Sequence, residues 1–509
     1  MKRLMSDFPG LAAAGSETGD VSAAVAINGC SRACISRGDL PEAAKRLVIS
    51  TLDGYSALHA WLLEIFDSKV TPNINKEWLQ MSWKEACSAK TVSADTAVKQ
   101  IKSGDRISVA HAVAEPSHII DALVANREAY RNVEIVHMVP MGKAEYVQPG
   151  MENHFRHNAL FVGAKTRKAV AEGRGDFTPC YFSQTPYIWS RTLPLDAALI
   201  HVSKPDAHGY CSLGVSVDYS LHAAEAAKIV IAQVNAHMPR TLGDSFIHIS
   251  KIDYIVEHDA PLINLNPPEI GETEQRIGEH CAGLVRDGDT LQLGIGAIPD
   301  AVLRFLKDKK DLGIHTEMFS DGVVDLVNAG VITCARKNVN RGKLVATFLM
   351  GTQKLYDFVN DNPMVSMHPV SYTNDPDIAG SNDNLVSINS CVQVDLLGQV
   401  CSETVGQTQI SAVGGQVDFV RAAAISKGGR SIIAMPSTAK DGTLSRIVPF
   451  LDEGAAVTTN RYDVDIIVTE YGCAHLKYRT VRDRAKMLID IAHPNFRSEL
   501  KQEFERRFM

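Results

Sequence analysis

The chain has 509 residues, 45% of them hydrophobic, and 52 Lys+Arg against 59 Asp+Glu give a formal net charge of −7. That length is too great for one core and suits two or more domains, and the acidic balance excludes a nucleic-acid binder that relies on a global positive field. No stretch approaches the roughly 18 apolar residues of a membrane span, so no membrane partner is expected. The ten cysteines are scattered with no C-x-x-C pair, which reads as reduced thiols in a cytoplasmic protein rather than a disulfide framework or zinc site. Among the 17 histidines there is no H-E-x-x-H spacing, and no metal is assigned.

In chain order, residues 1–81 read as an N-terminal extension outside the native core. Residues 8–30 are rich in Ala, Gly and Ser with little periodicity, no secretory pattern follows Lys2 and Arg3, and the texture changes at Met81-Ser82-Trp83, which suggests Met81 as the natural start. Beyond it the sequence repeats itself. Residues 96–124 and 281–306 each carry an amphipathic segment, a Gly-Asp turn, a short strand, a small-residue loop, a proline and a helix, pairing Gly104 with Gly288 and Pro116 with Pro299. Apolar runs at 198–203 and 228–232 recur at 385–390 and 431–434. Short apolar strands alternating with helical stretches predict an α/β protein of two tandem, related open parallel-sheet domains. The boundaries fall at 82–268 and 269–509, across the linker-like Asn264-Leu265-Asn266-Pro267-Pro268. Active sites of such sheets lie at the carboxyl ends of strands, so the site is expected between the halves.

Only the second half has a carboxylate at the corresponding place: Glu317, in Gly313-Ile314-His315-Thr316-Glu317-Met318, where the first half reads Ile135-Val136-His137-Met138-Val139-Pro140. A Gly-rich turn (Gly294-Ile295-Gly296) precedes it and a Gly-Gly-Gln turn (Gly414-Gly415-Gln416) follows. A carboxylate is a poor nucleophile in water. Among backbone N–H donors and screened from solvent it can attack a thioester and form an acyl anhydride. That points to chemistry on a coenzyme A thioester.

Five motifs carry a more specific signal: residues 294–302, 315–326, 413–421, 432–437 and 468–472. Together they resemble the acetyl-CoA hydrolase/transferase family of class I CoA-transferases, in order, over about residues 82–508. The resemblance implies exchange of CoA between short-chain acids such as butyrate or 4-hydroxybutyrate and acetate, with acyl-CoA as substrate, no permanently bound cofactor and a homo-oligomeric assembly. Glu317 matches the nucleophile, which passes through a glutamyl-CoA thioester, and Gly414 and Gly415 match the loop expected to supply oxyanion donors. Gly294, Ile295, Gly296, Ala297 and Ile298 match the CoA-binding loop, with a helix expected to start at Asp300-Ala301-Val302. Val392, Gly414 and Lys440 match further CoA contacts, Lys440 at the phosphates.

Each residue has a blander reading. A dinucleotide fingerprint at Gly294-Ile295-Gly296 fails because Pro299 stands where a third glycine belongs. Glu115 is a second loop carboxylate, better read as pocket-lining or helix-capping than as a rival nucleophile. Glu470 and Asp321 read as structural turn residues, and His315 as a positioned or exposed histidine. Met138, Met141 and Tyr146 are candidates for the acyl pocket. A thioester hydrolase using the same glutamate is the alternative function, and a non-catalytic sugar-phosphate-type binding protein is the third class.

Overall fold

A computed structural model describes residues 82–509 of the chain. The expectations for the extension, including a start at Met81, lie outside those residues. The described part opens on a capping box, in which the Ser82 N–H donates to the Glu85 carboxylate at 2.8 Å and Ser82 Oγ accepts from the Glu85 N–H.

Seven strands form the first sheet: β1 (Arg106–Val109), β2 (Val133–His137), β3 (Phe155–Ala159), β4 (Gly175–Phe177), β5 (Ala197–Val202), β6 (Ile229–Val234) and β7 (Tyr254–Glu257). Their order is β4-β3-β2-β1-β5-β6-β7, every pair parallel. The second half supplies β8 (Thr290–Leu293), β9 (Gly313–Ile314), β10 (Leu344–Ala346), β11 (Val365–Met367), β12 (Leu385–Ser390), β13 (Arg430–Ala434), β14 (Ile466–Thr469) and β15 (Gly472–His475). Six of these form a sheet in the order β9-β8-β12-β13-β14-β15. A parallel bridge from His315 to Val345 brings β10 alongside the continuation of β9, and β10 pairs in parallel with β11. The order β11-β10-β9-β8-β12-β13-β14 repeats that of the first sheet strand for strand, so the repeat seen in the sequence is a repeat of topology. One element departs from it: β15 turns back on β14 in antiparallel register.

Parallel strands covered on both faces read as continuous apolar runs, and all six residues of β5 are buried. Alternate side chains go to opposite faces. Ala198, Ile200 and Val202 enter a core shared with Leu291, Leu293 and Ile388 of the second half, whereas Ala197 and Leu199 enter an outer cluster with Ile107 and Ile231. Backbone hydrogen bonds also cross between the halves, from Leu349 N–H to Val215 O (2.8 Å) and from Met367 N–H to Leu242 O (2.7 Å).

Helix Glu272–Gly283 has glutamates in its first turn and a histidine in its last, as the helix dipole favours. Its buried face, Ile277, Gly278, Cys281 and Ala282, packs against helix Ala297–Arg304. That second helix begins at Ala297, three residues before the sequence expectation. Pro299 does not delay it, because a first-turn residue needs no N–H partner. A Cβ on Gly278 would lie 2.8 Å from both the carbonyl carbon and the Cβ of Ala301. Gly278→Val is therefore expected to overpack this contact and lower native stability by about 1–3 kcal/mol, read as a fall in the urea midpoint.

Candidate active site

The strand order reverses beside β1 in the first sheet and beside β8 in the second, and such switch points open crevices at the carboxyl ends of strands. Here both crevices open onto one cavity of about 270 Å³. His111 follows β1, Met138 and Val139 follow β2, and Phe161 follows β3. From the second half come Leu293 at the end of β8, Gly294 and Ile295 just after it, and Glu317 after β9. The walls are mainly apolar and aromatic, with Phe182, Phe348 and Met350 among them.

Glu317 is set by the backbone on either side of it. The Thr316 N–H donates to Val345 O, and Thr347 and Phe348 both donate N–H to Glu317 O at 3.0 and 3.2 Å. Its carboxylate opens onto the cavity, where Asn374 Nδ2 donates to Oε2 at 2.8 Å and the Gly415 N–H also donates to it. Gly415 is the residue before helix Gln416–Ile425, so this N–H is one of the unpaired donors at a helix start. A Cβ there would lie 2.0 Å from Glu317 Oε2 and 2.4 Å from Asn374 Nδ2, so any larger residue would displace both groups from this arrangement.

Removal from water pushes the Glu317 carboxyl up to about 7; Asp418 and Asp218 add to the rise, and the Asn374 and Gly415 hydrogen bonds oppose it. Asp418, in the first turn of the same helix, is also pushed up to about 7 by burial. It accepts from Ser183 N–H (3.1 Å) and Ser183 Oγ (2.9 Å) of the first half, and the Asn374 amide donates to it as well. Asn374 thus spans two carboxyls, and Ser183 ties the assembly across the halves.

His315 is fully buried. Its Nε2–H donates to Thr373 O at 2.9 Å and its Nδ1 accepts from Asn382 at 3.3 Å. Burial first, and Lys337 beside it, pull it down to about 3, so it stays neutral and structural. Lys337 donates to Ile314 O (2.7 Å) and Lys343 O (2.8 Å), and burial pulls it down to about 8.

The structure brings Gly294, Ile295, Glu317, Gly414 and Gly415 to one cavity. It does not bring the remaining sequence candidates there. Gly296 precedes helix Ala297–Arg304, and within that helix Ile298 faces the core. The Val392 N–H is engaged by Cys401 O, and Lys440 lies on an exposed turn between Thr438–Ala439 and Leu444–Ser445. Of the acyl-pocket candidates Met138 lines the cavity, while Tyr146 is buried elsewhere against His137 Nδ1 at 2.8 Å. Glu115 accepts N–H bonds from Met141 and Gly142 at 2.8 and 2.9 Å and braces their loop. Glu470 accepts from Ser437 N–H and Oγ, and Asp321 from Thr352 N–H and Oγ1. All three are held in structural hydrogen bonds, as the blander readings of Glu470 and Asp321 expected, but Glu115 braces a loop and neither lines the cavity nor caps a helix.

Sequence reasoning missed Asn374, Asp418 and Asp218. Asp418 sits inside a quoted motif, two residues past Gln416. Asn374 lies in no motif, and only the fold brings it to Glu317.

A cleft carboxylate perturbed by desolvation and held by aimed donors, at the shared edge of two duplicated parallel sheets, has the geometry of an enzyme active site. The chain belongs to the acetyl-CoA hydrolase/transferase family: that family's N-terminal domain matches residues 75–266 and its C-terminal domain residues 351–504. It is 62% identical over 429 residues to the 4-hydroxybutyrate coenzyme A transferase of Clostridium kluyveri, covering 84% of this chain and 100% of that protein. It is 46% identical to the succinyl-CoA:cyclohexane-1-carboxylate CoA transferase of Geobacter metallireducens, over 84% of this chain and 97% of that one. The crystal structure of 4-hydroxybutyrate CoA-transferase from Porphyromonas gingivalis superposes with a TM-score of 0.74 at 44% identity, covering 84% of this chain and 100% of that chain.

The raised carboxyl has a consequence for folding. An acid whose native pKa exceeds its unfolded value, here about 7 against 4.5, contributes stability present below the unfolded pKa and lost as pH rises through the native one. Glu317→Gln is expected to raise the urea midpoint at pH 8, with the gain vanishing toward pH 4. Because the carboxyl opens onto a cavity rather than into packed protein, the gain is about 1–2 kcal/mol.

Proposed function

We propose that this chain is a CoA-transferase that moves coenzyme A between a short-chain acyl-CoA, 4-hydroxybutyryl-CoA or butyryl-CoA, and a carboxylate acceptor such as acetate, with Glu317 as the nucleophile. The observation that carries the reading is the Glu317 carboxylate, held by Asn374 and Gly415 in a mainly apolar cavity.

A Glu317 oxygen attacks the acyl carbonyl, the C–S bond breaks, and CoA leaves as thiolate with an acyl-glutamyl anhydride behind it. The thiolate then attacks the glutamyl carbonyl and expels the donor carboxylate, giving a γ-glutamyl-CoA thioester. The acceptor carboxylate attacks that thioester carbonyl and expels thiolate, which attacks the new acyl carbonyl and frees Glu317. No net proton moves, which suits a site whose nucleophile needs no general base.

In the steps centred on Glu317, negative charge develops on the glutamyl oxygen to which Asn374 and Gly415 already donate. Donors placed before the charge forms cost no reorganisation when it does. Asn374 thereby joins Gly415 as an oxyanion donor, while Gly414 shapes the wall. Gly294 and Ile295 meet the thioester end of CoA. Gly296, Ala297, Val392 and Lys440 are assigned to the rest of CoA, with Lys440 at its phosphates, and Ile298 backs this loop from the core.

Wild type is expected to exchange CoA from butyryl-CoA to acetate and to lose a hydroxylamine-sensitive glutamyl thioester, seen by peptide mass, when Glu317→Ala removes the nucleophile. The rate should fall by several orders of magnitude. Thiol release at equal rates with and without acetate would make the enzyme a hydrolase, and exchange surviving Glu317→Ala would overturn the mechanism.

Asn374→Ala should lower kcat by about a hundred- to a thousandfold. Losing a donor to the carboxylate also raises the Glu317 pKa, so the acidic limb of the pH–rate profile should move to higher pH.

A further inference from the structure

Asn374 hangs on a short piece of backbone. It follows directly on helix Val370–Thr373, and Asp375, next in the chain, caps helix Pro376–Gly380 by accepting from the Asp377 and Ile378 N–H groups. Helices of four and five residues are not stable on their own, so the junction between them takes its position from contacts outside it. Its amide nevertheless meets Glu317 Oε2 at 2.8 Å.

His315 supplies contacts on both sides of that junction. Its Nε2–H bonds Thr373 O, the carbonyl just before Asn374 and one of the acceptors that a helix end leaves without a partner. Its Nδ1 takes the amide of Asn382, just beyond the second helix. Asn382 is not free to turn that amide round, because its Oδ1 accepts from the Val339 N–H at 3.2 Å. A carbonyl on one side and an N–H on the other leave the ring one tautomer, with the proton on Nε2 and a lone pair on Nδ1.

The backbone that carries the ring is itself fixed. The His315 N–H donates to Leu291 O at 3.1 Å, and the residue bridges in parallel to Val345. The side chain is fully buried, with the Phe419 ring edge-on at 6.5 Å, and it does not line the cavity. Glu317 lies two residues further along the same segment. Both partners of the Glu317–Asn374 hydrogen bond are therefore referred to one side chain, Glu317 through the chain and Asn374 through the carbonyl before it.

We propose that His315 is a positioning residue for the transfer, aligning the Asn374 amide with the Glu317 carboxylate without touching substrate. The proposal rests on the transferase reading and adds a residue to its machinery. An ordinary core histidine differs in one respect: its loss would weaken the fold but leave the turnover and pH profile of the folded enzyme in place.

The test is a double-mutant cycle on kcat for butyryl-CoA and acetate, with a pH–rate profile for each variant. His315→Leu should lower kcat by about tenfold to a hundredfold, as a misplaced catalytic group does. The Asn374 bond holds the Glu317 carboxyl down, so the acidic limb should also move to higher pH, the direction expected of Asn374→Ala. His315→Gln keeps a donor where Nε2 stands and should restore most of the loss. His315→Asn reaches only the Asn382 side and should not. In an Asn374→Ala background His315→Leu should cost less than about a further twofold, because residues acting as one unit are non-additive. Losses that multiply in full, or an acidic limb that stays in place, overturn the proposal. Where His315→Leu does not fold, the contrast between His315→Gln and His315→Asn decides, and equal activity in those two overturns it as well. A wild type without Glu317-dependent transfer removes the transferase reading and this proposal with it, whereas multiplying losses in an active enzyme remove the proposal alone.

Discussion

The site depends on keeping a carboxylate away from bulk water without neutralising it. Burial alone would make Glu317 a protonated, unreactive acid at neutral pH, and a lysine or arginine beside it would quench its nucleophilicity. The structure takes a middle course. Two neutral donors, the Asn374 amide and the Gly415 N–H, hold the carboxylate, and the nearby ionisable groups, Asp418 and Asp218, act in the opposite sense. The carboxyl is left with a pKa raised to about 7 at the edge of a mainly apolar cavity. Other features follow from this arrangement: the glycine whose replacement would displace both side chains, the helix start behind it, and the serine that reaches across from the first half to fix Asp418.

The duplicated topology explains how such a site is reached. Each sheet alone presents a crevice at its switch point, as open parallel sheets do. Placing the two crevices against one cavity lets the halves specialise. The second half carries Glu317 after β9. The first half, in the equivalent place after β2, carries Met138 and Val139 and makes wall rather than chemistry. His111, after β1, is the exception that gives the first half a polar voice in the cavity.

Much of this was legible in the sequence, because the repeat lies in apolar strands and turn glycines that local physics reads directly. Glu317, Gly294, Gly414 and Gly415 were recognisable because each sits in a turn next to a strand or helix end. Asn374 was not, since its partner Glu317 is 57 positions away and no local pattern marks it. Tyr146 was misplaced for a related reason: a tyrosine in a loop beside the site looks like pocket wall until the fold gives it a buried histidine to bond. The helix at Ala297 was read three residues late because Pro299 resembles a boundary, although a proline in a first turn is compatible with the helix.

The shared core has a bearing on how the protein comes into being. Ala198, Ile200 and Val202 of the first half pack with Leu291 and Ile388 of the second, and the most separated of these are nearly two hundred positions apart. Synthesis delivers the first sheet from the ribosome with that face still bare, and it stays bare until β8 and β12 have emerged. During that interval the nascent chain carries an apolar surface matched to a partner not yet made, the condition that recruits chaperones and invites pairing between neighbouring nascent chains.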